Sequence, residues 1–362
     1  MSDCVIVGGG ISGLLCARLL ADQGLNISLF DQGAFGRESS WAGGGIISPL
    51  YPWRYPDAVN ALAAYSQAEY PSLAAELHDE TGIDPEWVRS GILIADAEPE
   101  ADAWANRWRL TLTRVNDAAA LTAIQTGLAL APDNLGWMPD IAQIRNPRLM
   151  KALLASVLRR ASISCHPRTE VNEIVVENGR VRGVRAGGAF HAGERVLVTA
   201  GAWSQALLPA TIPAKPTIYP VKGQMILLRT EPGTLAPMVM REGRYLIPRR
   251  DGRVLVGSTL EHAGFDKITD DTARVALLSF ASDLYPALAR APMEHHWAGL
   301  RPGAPEGIPY IGALPGASGL FINAGHYRNG VVMGLGAARL AVDLLVGRPA
   351  CVDPAPYAPE NR

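Results

Sequence analysis

The sequence is poor in cysteine and in net charge, and both shortages limit what the protein can be. Its 362 residues include four cysteines, Cys4, Cys16, Cys165 and Cys351, with no C-x-x-C pair and no metal-type cluster with histidine. We therefore expect unpaired thiols, a cytoplasmic protein and no bound metal. The chain has 33 basic and 35 acidic residues, and its net charge of −2 provides no positive field that would attract nucleic acid.

Long apolar runs are also missing. The most apolar late stretch, Gly330 to Gly347, is interrupted by Arg339 and Asp343, which is typical of an amphipathic helix and not of a transmembrane segment. The N-terminus runs directly into an apolar segment without a charged leader, so no secretory signal is expected. Hydrophobic residues make up 48% of the chain, which indicates a globular protein with a large core and one large or two ordinary domains.

The first 31 residues have the pattern of one strand–helix–strand unit. An apolar run leads into Gly8-x-Gly10-x-x-Gly13, a helical pattern follows, and a second apolar run ends at Asp31. Glycines at this spacing permit a tight turn, close approach of a pyrophosphate and close helix packing, and the helix N-terminus attracts phosphate. Asp31 can accept a hydrogen bond from a ribose hydroxyl. The unit therefore predicts a dinucleotide site.

Two later segments favour FAD over NAD as this dinucleotide. Residues 198–201, Val-Thr-Ala-Gly, resemble the second strand-turn signature of FAD-binding folds. Residues 325–332 place a glycine-flanked turn before a last helix that is predicted to begin at Asn329 or Gly330. The N-terminus of that helix would offer N–H groups and positive potential to the flavin edge that becomes negative on reduction.

The rest of the pattern predicts discontinuous domains. Further helices are expected at three places, near 57–81, 147–160 and 272–284. Nucleotide-binding signals occur at both ends and in the middle of the chain, with other segments inserted between them. We predict an FAD-binding domain formed by 1–84, 144–213 and 301–362, and a substrate-binding domain formed by 85–143 and 214–300.

Four motifs are more specific than the glycine fingerprint. They are Val221-Lys222-Gly223-Gln224, Trp297 to Gly303, Gly307 to Gly312 and Gly325 to Gly330. In order and spacing, over nearly the whole chain, they resemble the glycine oxidase branch of the D-amino-acid oxidase superfamily of FAD-dependent oxidoreductases. The resemblance implies an α/β fold in which a glutathione-reductase-like, FAD-binding Rossmann domain is interleaved with an antiparallel-sheet substrate domain.

The resemblance also implies which residues bind the cofactor. The expected FAD contacts are Gly8, Gly10, Ile11, Ser12, Gly13, Asp31, Gln32, Ser39, Ser40, Gly44, Gly45, Ile46, Val171, Gly201, His326, Tyr327, Arg328, Asn329, Gly330, Val331 and Val332. The sarcosine oxidases attach flavin covalently through a cysteine shortly before or within the region that corresponds to 301–328. None of the four cysteines lies there, so FAD is expected to be noncovalent.

For the substrate, the resemblance implies binding by Arg301, Arg328 and the Tyr245 hydroxyl. A guanidinium can hold an amino-acid carboxylate through two parallel hydrogen bonds. The implied reaction is oxidative deamination of glycine, small amines or small D-amino acids by hydride transfer to flavin N5, with O2 reduced to H2O2. No residue is required as a general base. The product would supply iminoglycine for the thiazole of thiamine.

Two other functions are compatible with the same motifs. A D-amino-acid dehydrogenase would keep the fold and pass the electrons to a quinone at a membrane. A flavin-binding scaffold would hold FAD without turnover, although a scaffold has no need for a pair of arginines and a tyrosine that bind a carboxylate. The preferred substrate does not follow from the sequence, and a homo-oligomer is compatible with it.

Overall fold

The computed structural model describes residues 1–213 and 215–362, which form two large sheets and the helices packed on them. The α-helices are α1 Ile11–Ala21, α2 Ser39–Ala42, α3 Asp57–Thr81, α4 Glu100–Trp108, α5 Ala118–Ile124, α6 Asn146–Leu158, α7 Ser204–Leu207, α8 Asp271–Leu284 and α9 Gly334–Val346. Short 3-10 turns occur at Pro52–Arg54, Gly201–Trp203, Pro286–Arg290, Pro305–Gly307, Tyr327–Asn329, Ala355–Tyr357 and Pro359–Asn361.

The strands are β1 Ser2–Val7, β2 Ile27–Phe30, β3 Val88–Arg89, β4 Ile92–Ile94, β5 Thr113–Val115, β6 Leu135–Met138, β7 Ala142–Gln143, β8 Ile163–His166, β9 Val171–Glu177, β10 Arg180–Ala186, β11 Ala189–Val198, β12 Tyr219–Arg229, β13 Met238–Arg241, β14 Arg244–Pro248, β15 Arg253–Gly257, β16 Met293–Gly303, β17 Tyr310–Ala313 and β18 Leu320–Ala324. Strands β3 and β7 pair with each other, and the remaining strands make up the two large sheets.

The first sheet contains the predicted strand–helix–strand unit. Its central path has the order β17-β18-β11-β1-β2-β8, and β1 runs parallel to both β2 and β11. Successive side chains of a strand point to opposite faces. Cys4 and Ile6 therefore pack with α1, α3 and α9, whereas Val5 and Val7 pack with residues of β9 and β10. The carboxyl ends of β1, β2 and β11 meet at one edge, where the glycine turn opens α1.

The second sheet has the order β16-β12-β15-β14-β13-β4-β6-β5, and it is antiparallel apart from the β13–β4 pair. Its side chains alternate between two environments. Ile226 and Leu246 pack against α8, whereas Met225 and Tyr245 point to the opposite face, into a cleft between the sheets. One face of this sheet is therefore a wall of the cleft. The predicted fold class, a Rossmann unit with an interleaved antiparallel sheet, is confirmed.

The last helix differs from the prediction. It begins at Gly334, not at Asn329 or Gly330, because Tyr327–Asn329 form a 3-10 turn. Residues 330–333 continue as a turn, and the α-helix starts only after them. The predicted start is therefore wrong, and the residues that the prediction assigned to the first turn of the helix form a separate loop at the cleft.

Helix α9 has the expected amphipathic character. Its two charged residues pair along the helix, with Arg339 Nε 3.0 Å from the carboxylate of the fully buried Asp343. Within the described ranges, no helix combines the length and apolarity that crossing a membrane requires. The domain boundaries stay a prediction, and β16 continues past the proposed boundary at residue 300 to Gly303.

Candidate active site

A cleft of about 440 Å³ lies between the carboxyl edge of the first sheet and the inner face of the second. The expected cofactor residues line it except for Gly13 and Asn329, which lie behind it, and the three expected substrate residues also line it. The fold thus brings together groups from eight separate segments of the chain, although their roles stay predictions. The cleft has three parts: a fingerprint end at Gly8–Ser12 and Asp31, a central loop at Gly43–Ile46, and an end at Arg301.

At the fingerprint end, Gly13 packs α1 onto the first sheet. A Cβ atom at this position would lie 1.9 Å from the carbonyl oxygen of Gly8 and 2.9 Å from Thr199 Oγ1. Any larger residue would therefore push the helix away from the sheet and distort the turn. Gly13 acts on the site through this packing, without touching the cleft.

Asp31 is held at the end of β2 by the fingerprint loop itself. Its Oδ2 accepts a hydrogen bond from the Gly9 N–H at 2.8 Å, and its Oδ1 accepts one from the Gly33 N–H at 2.7 Å. Burial raises the pKa of Asp31, and these two N–H groups oppose that rise. The carboxylate is therefore preset in orientation beside the cleft, where it can accept a further hydrogen bond.

The N-terminus of α1 keeps donors for an anion. The N–H of Ile11 is already used, since it donates to Ser40 Oγ at 2.9 Å. The N–H groups of Gly10 and Ser12, two residues that line the cleft, have no acceptor among the described residues. Unpaired donors at the positive end of a helix are the arrangement that binds a pyrophosphate.

The central loop, Gly43–Ile46, is pinned from behind by Arg249. This buried guanidinium donates from Nη2 to the Gly44 carbonyl at 2.7 Å and from Nη1 to Gln143 Oε1 at 2.8 Å. Burial lowers the pKa of Arg249 to about 10, and the neighbouring Arg145 adds to the lowering. Arg249 therefore stays charged at neutral pH and fixes the glycine-rich loop. No motif marked this residue in the sequence.

The turn at residues 326–333 presents unpaired groups to the cleft. The N–H groups of Gly330, Val331 and Val332 have no acceptor in the described part of the chain, and buried His326 Nε2 also has no partner there. Burial lowers the pKa of His326 to about 4, so its imidazole is neutral at pH 7. The hydroxyl of Tyr70 donates to the Val331 carbonyl at 2.6 Å and holds this turn in place. These donors come from a loop and not, as predicted, from the first turn of α9.

Arg301 lies on β16, with its guanidinium directly over Gly223 of the neighbouring β12. A Cβ atom at Gly223 would come within 2.1–2.4 Å of the guanidinium atoms, so glycine is required there. Arg301 Nη2 donates to Ser258 Oγ at 2.6 Å, and Nη1 donates to the carbonyls of Lys222 and Thr259 at 3.2 and 3.3 Å. The Val-Lys-Gly-Gln motif thus supplies both the space and one acceptor for Arg301.

Arg301 and Arg328 have no carboxylate partner among the described residues; they donate to carbonyls and to one hydroxyl. Burial is the main cause that lowers the pKa of Arg301, and the charge of Arg328 lowers it further. Besides these acceptors, the Tyr245 hydroxyl is the described group that interacts with Arg301, and the hydrogen bonds above leave its Nε–H unused. Two neighbouring positive charges in the cleft favour an anionic ligand.

Tyr245 connects the central loop to Arg301. The ring is 6% exposed, and a Cβ atom at Gly44 would lie 3.3 Å from its hydroxyl oxygen. The same hydroxyl also interacts with Arg301. It raises the pKa of Arg301 and so opposes the lowering that burial causes. Tyr245 therefore borders both the loop and the candidate anion site.

Other residues of the cleft lining escaped the sequence analysis. They include Phe30, Ser48, Leu50, Trp203 and Met225. Phe30 ends β2 directly before Asp31, and a general rule that ligands lie at the carboxyl ends of parallel strands could have found it. Ser48, Leu50 and Met225 are ordinary residues of a loop and a strand, and no local pattern distinguishes them.

The fold and the cleft define a dinucleotide-binding protein of the α/β class. The sequence profile described as FAD dependent oxidoreductase matches residues 3–344. The chain is 48% identical to a glycine oxidase of Pseudomonas aeruginosa and 49% identical to one of Pseudomonas putida, each over 99% of this chain and 98% of the relative. A crystal structure of glycine oxidase from Geobacillus kaustophilus is similar with a TM-score of 0.90 at 29% identity, covering 99% and 98% of the two chains.

The chain belongs to the FAD dependent oxidoreductase family. The resemblance inferred from the four motifs is thereby confirmed, and FAD is the cofactor. The residues fit this cofactor. The start of α1 and the turn at 326–333 both line the cleft, and they carry N–H groups that have no acceptor among the described residues.

Replacing Gly13 with alanine should abolish FAD binding, because the added methyl group would collide with the Gly8 carbonyl. The measurement is the visible flavin absorbance of the purified protein. The matched control is Gly33→Ala, where the nearest atom to the new Cβ lies at an ordinary 3.6 Å. Flavin retained by Gly13→Ala at the wild-type level would contradict the packing role of Gly13.

Proposed function

We propose that the protein oxidises glycine, small amines or small D-amino acids to the imino acid, which water converts to the oxo acid and ammonia. O2 is reduced to H2O2, and the imino product supplies the thiazole of thiamine. The glycine oxidases of the two Pseudomonas species support this proposal. The observation that carries it is the Arg301 guanidinium, which lines the cleft and has no counter-ion among the described residues. The cytoplasm is the proposed compartment, and FAD is proposed to be bound noncovalently.

Arg301 binds the substrate carboxylate in this proposal. Its Nη1 and one N–H of Nη2 are occupied by protein acceptors, which fixes the plane of the guanidinium. The remaining Nε–H and Nη2 N–H can then donate to the two oxygens of one carboxylate. Because no carboxylate of the described residues pairs with Arg301, the substrate provides the negative charge in this proposal.

Tyr245 and Arg328 determine how that carboxylate is oriented. The Tyr245 hydroxyl borders Arg301 and can donate to the same carboxylate. Arg328 is anchored by one hydrogen bond, from Nη2 to the Gly243 carbonyl at 2.8 Å, and its other N–H groups are available. Three donors around one carboxylate restrict the position of the adjoining Cα–H bond, which is the bond that is oxidised.

Bound FAD supplies the two-electron oxidation chemistry. The acidic residues that line the described cleft are Asp31, Glu38 and Glu170. Asp31 is bound to the fingerprint loop, and Glu38 pairs with Lys267 at 2.9 Å, so neither is available as a base beside Arg301. In the proposed reaction no protein base is required, and the substrate amine has to be neutral.

Addition of glycine to the purified protein without oxygen should bleach the visible absorbance of the flavin. Admission of air should then restore the absorbance and release one H2O2 for each flavin reoxidised. A panel of sarcosine, D-alanine and D-proline under the same conditions will rank the substrates. Bleaching followed by slow reoxidation that a quinone accelerates would identify a dehydrogenase. Failure of the whole panel to bleach the flavin would identify a binding protein without turnover.

Replacement of Arg301 with alanine should mainly weaken binding of carboxylate substrates. Loss of a charge-assisted pair of hydrogen bonds costs about 1.5–3 kcal/mol, which corresponds to a KM for glycine that is roughly 10- to 150-fold higher. Steady-state kinetics at several glycine concentrations, with FAD content measured in parallel, will show this change.

The matched control for this variant is Arg185→Ala. Arg185 is an exposed arginine on β10 that pairs with Glu173 of β9. The control should leave the KM unchanged. An Arg301→Lys variant keeps the charge but loses the planar fork, so its KM should lie between those of the wild type and the alanine variant. An unchanged KM in Arg301→Ala would remove Arg301 from the proposed carboxylate site.

A further inference from the structure

The turn Glu242–Gly243, which connects β13 to β14, touches Arg328. Its two residues have φ values of 52° and 72°, as in the tight turns that join adjacent antiparallel strands. The Gly243 carbonyl accepts the hydrogen bond from Arg328 Nη2 at 2.8 Å. Among the described residues Arg328 has no other acceptor, so this carbonyl determines how its guanidinium is oriented.

The N–H groups of the same turn are bound by two side chains from distant parts of the sequence. The Glu242 N–H donates to Asp96 Oδ2 at 3.0 Å, and the Gly243 N–H donates to the Tyr51 hydroxyl at 3.0 Å. The Tyr51 hydroxyl in turn donates to Asp96, at 2.6 and 2.7 Å from its two oxygens. Tyr51, Asp96 and the turn therefore form a closed ring of hydrogen bonds, here called the turn clamp.

Tyr51 is suited to a supporting role and not to substrate contact. Its side chain is 3% exposed and is not part of the cleft lining, whereas Ser48 and Leu50 just before it are. Burial and the hydrogen bond to Asp96 raise the pKa of Tyr51, so the hydroxyl stays protonated and keeps donating. The guanidinium of Arg54 covers the ring at 4.0 Å and is itself paired with Glu98 at 2.7 Å.

We propose that Tyr51 and Asp96 are positioning residues for Arg328: by holding the Glu242–Gly243 turn, they set the orientation of the guanidinium that helps bind the substrate carboxylate. The inference rests on the function proposed above and extends it to residues outside the cleft. Arg328 belongs to the turn beside the first sheet, and Gly243 belongs to the second sheet. The hydrogen bond from Arg328 to Gly243 thus links the two walls of the cleft where the carboxylate is proposed to bind, and the turn clamp holds the Gly243 side of that link.

The test uses Tyr51→Phe, which removes one hydroxyl group and keeps the ring. The probe is glycolate, a carboxylate that resembles glycine but lacks the amine, and its dissociation constant is read from the change in flavin absorbance. We expect Tyr51→Phe to weaken glycolate binding about 3- to 10-fold. With glycine as substrate, KM should rise by a similar factor while kcat stays within about twofold.

A double-mutant cycle shows whether the effect passes through Arg328. In an Arg328→Met background the guanidinium that Tyr51 is proposed to position is already removed. Adding Tyr51→Phe should therefore weaken glycolate binding no further. Equal effects of Tyr51→Phe in both backgrounds would overturn the proposal, as would glycolate binding unchanged from the wild type. Asp96→Asn is the second variant, and it should weaken binding in the same non-additive way.

Tyr357→Phe is the matched control. This buried tyrosine also donates one hydrogen bond, to the Ala58 carbonyl at 2.7 Å, but is not part of the cleft lining. It should leave glycolate binding and KM unchanged. If Tyr51→Phe only lowers the melting temperature and the FAD content, without a change in glycolate affinity, its role is structural and the proposal is wrong. A wild-type protein that neither binds glycolate nor is reduced by glycine would instead overturn the proposed function, and the inference with it.

Discussion

Among the described residues, no carboxylate pairs with the Arg301 guanidinium to neutralise it. Transfer of a charge out of water is unfavourable unless hydrogen bonds and an opposite charge compensate it. The protein supplies the hydrogen bonds, through Ser258 Oγ and the carbonyls of Lys222 and Thr259. We propose that the ligand supplies the opposite charge, so that the cleft selects an anion.

The surrounding structure keeps this arrangement in place. Gly223 leaves the space that the guanidinium occupies. The long pairing of β12 with β16 places Arg301 opposite Val221, two residues from Gly223. Tyr245 continues the contact to the central loop, which Arg249 pins from behind. The first sheet contributes its strand ends and the N-terminus of α1. The proposed anion site and the proposed cofactor site therefore share these contacts, so a change in one is expected to affect the other.

Local sequence patterns identified the parts of the structure that depend on local physics. The spacing of Gly8, Gly10 and Gly13 and the acid at Asp31 reflect one turn and one helix, so they were readable from 31 residues. Arg301 and the Val-Lys-Gly-Gln segment were found through the resemblance to a family, although the reason for the glycine emerged only from the structure. The start of α9 was predicted wrongly. The residues before Gly334 are compatible with either the first turn of a helix or a loop, and the sequence alone does not distinguish the two.

Contacts between distant residues could not be predicted in this way. Arg249 binds Gly44 across 205 positions, and Tyr51 meets Gly243 across 192. Such pairs leave no trace in periodicity or spacing, since each residue alone resembles an ordinary arginine or a core aromatic. They arise from the packing of the two sheets, and that packing is determined by the whole chain.

The most direct test of this account is a crystal structure of the protein with FAD and glycolate. The account predicts that the glycolate carboxylate accepts hydrogen bonds from Arg301 Nε and Nη2, with the Tyr245 hydroxyl beside it. A carboxylate bound elsewhere in the cleft, or an Arg301 side chain that turns away to pair with a protein carboxylate, would contradict it.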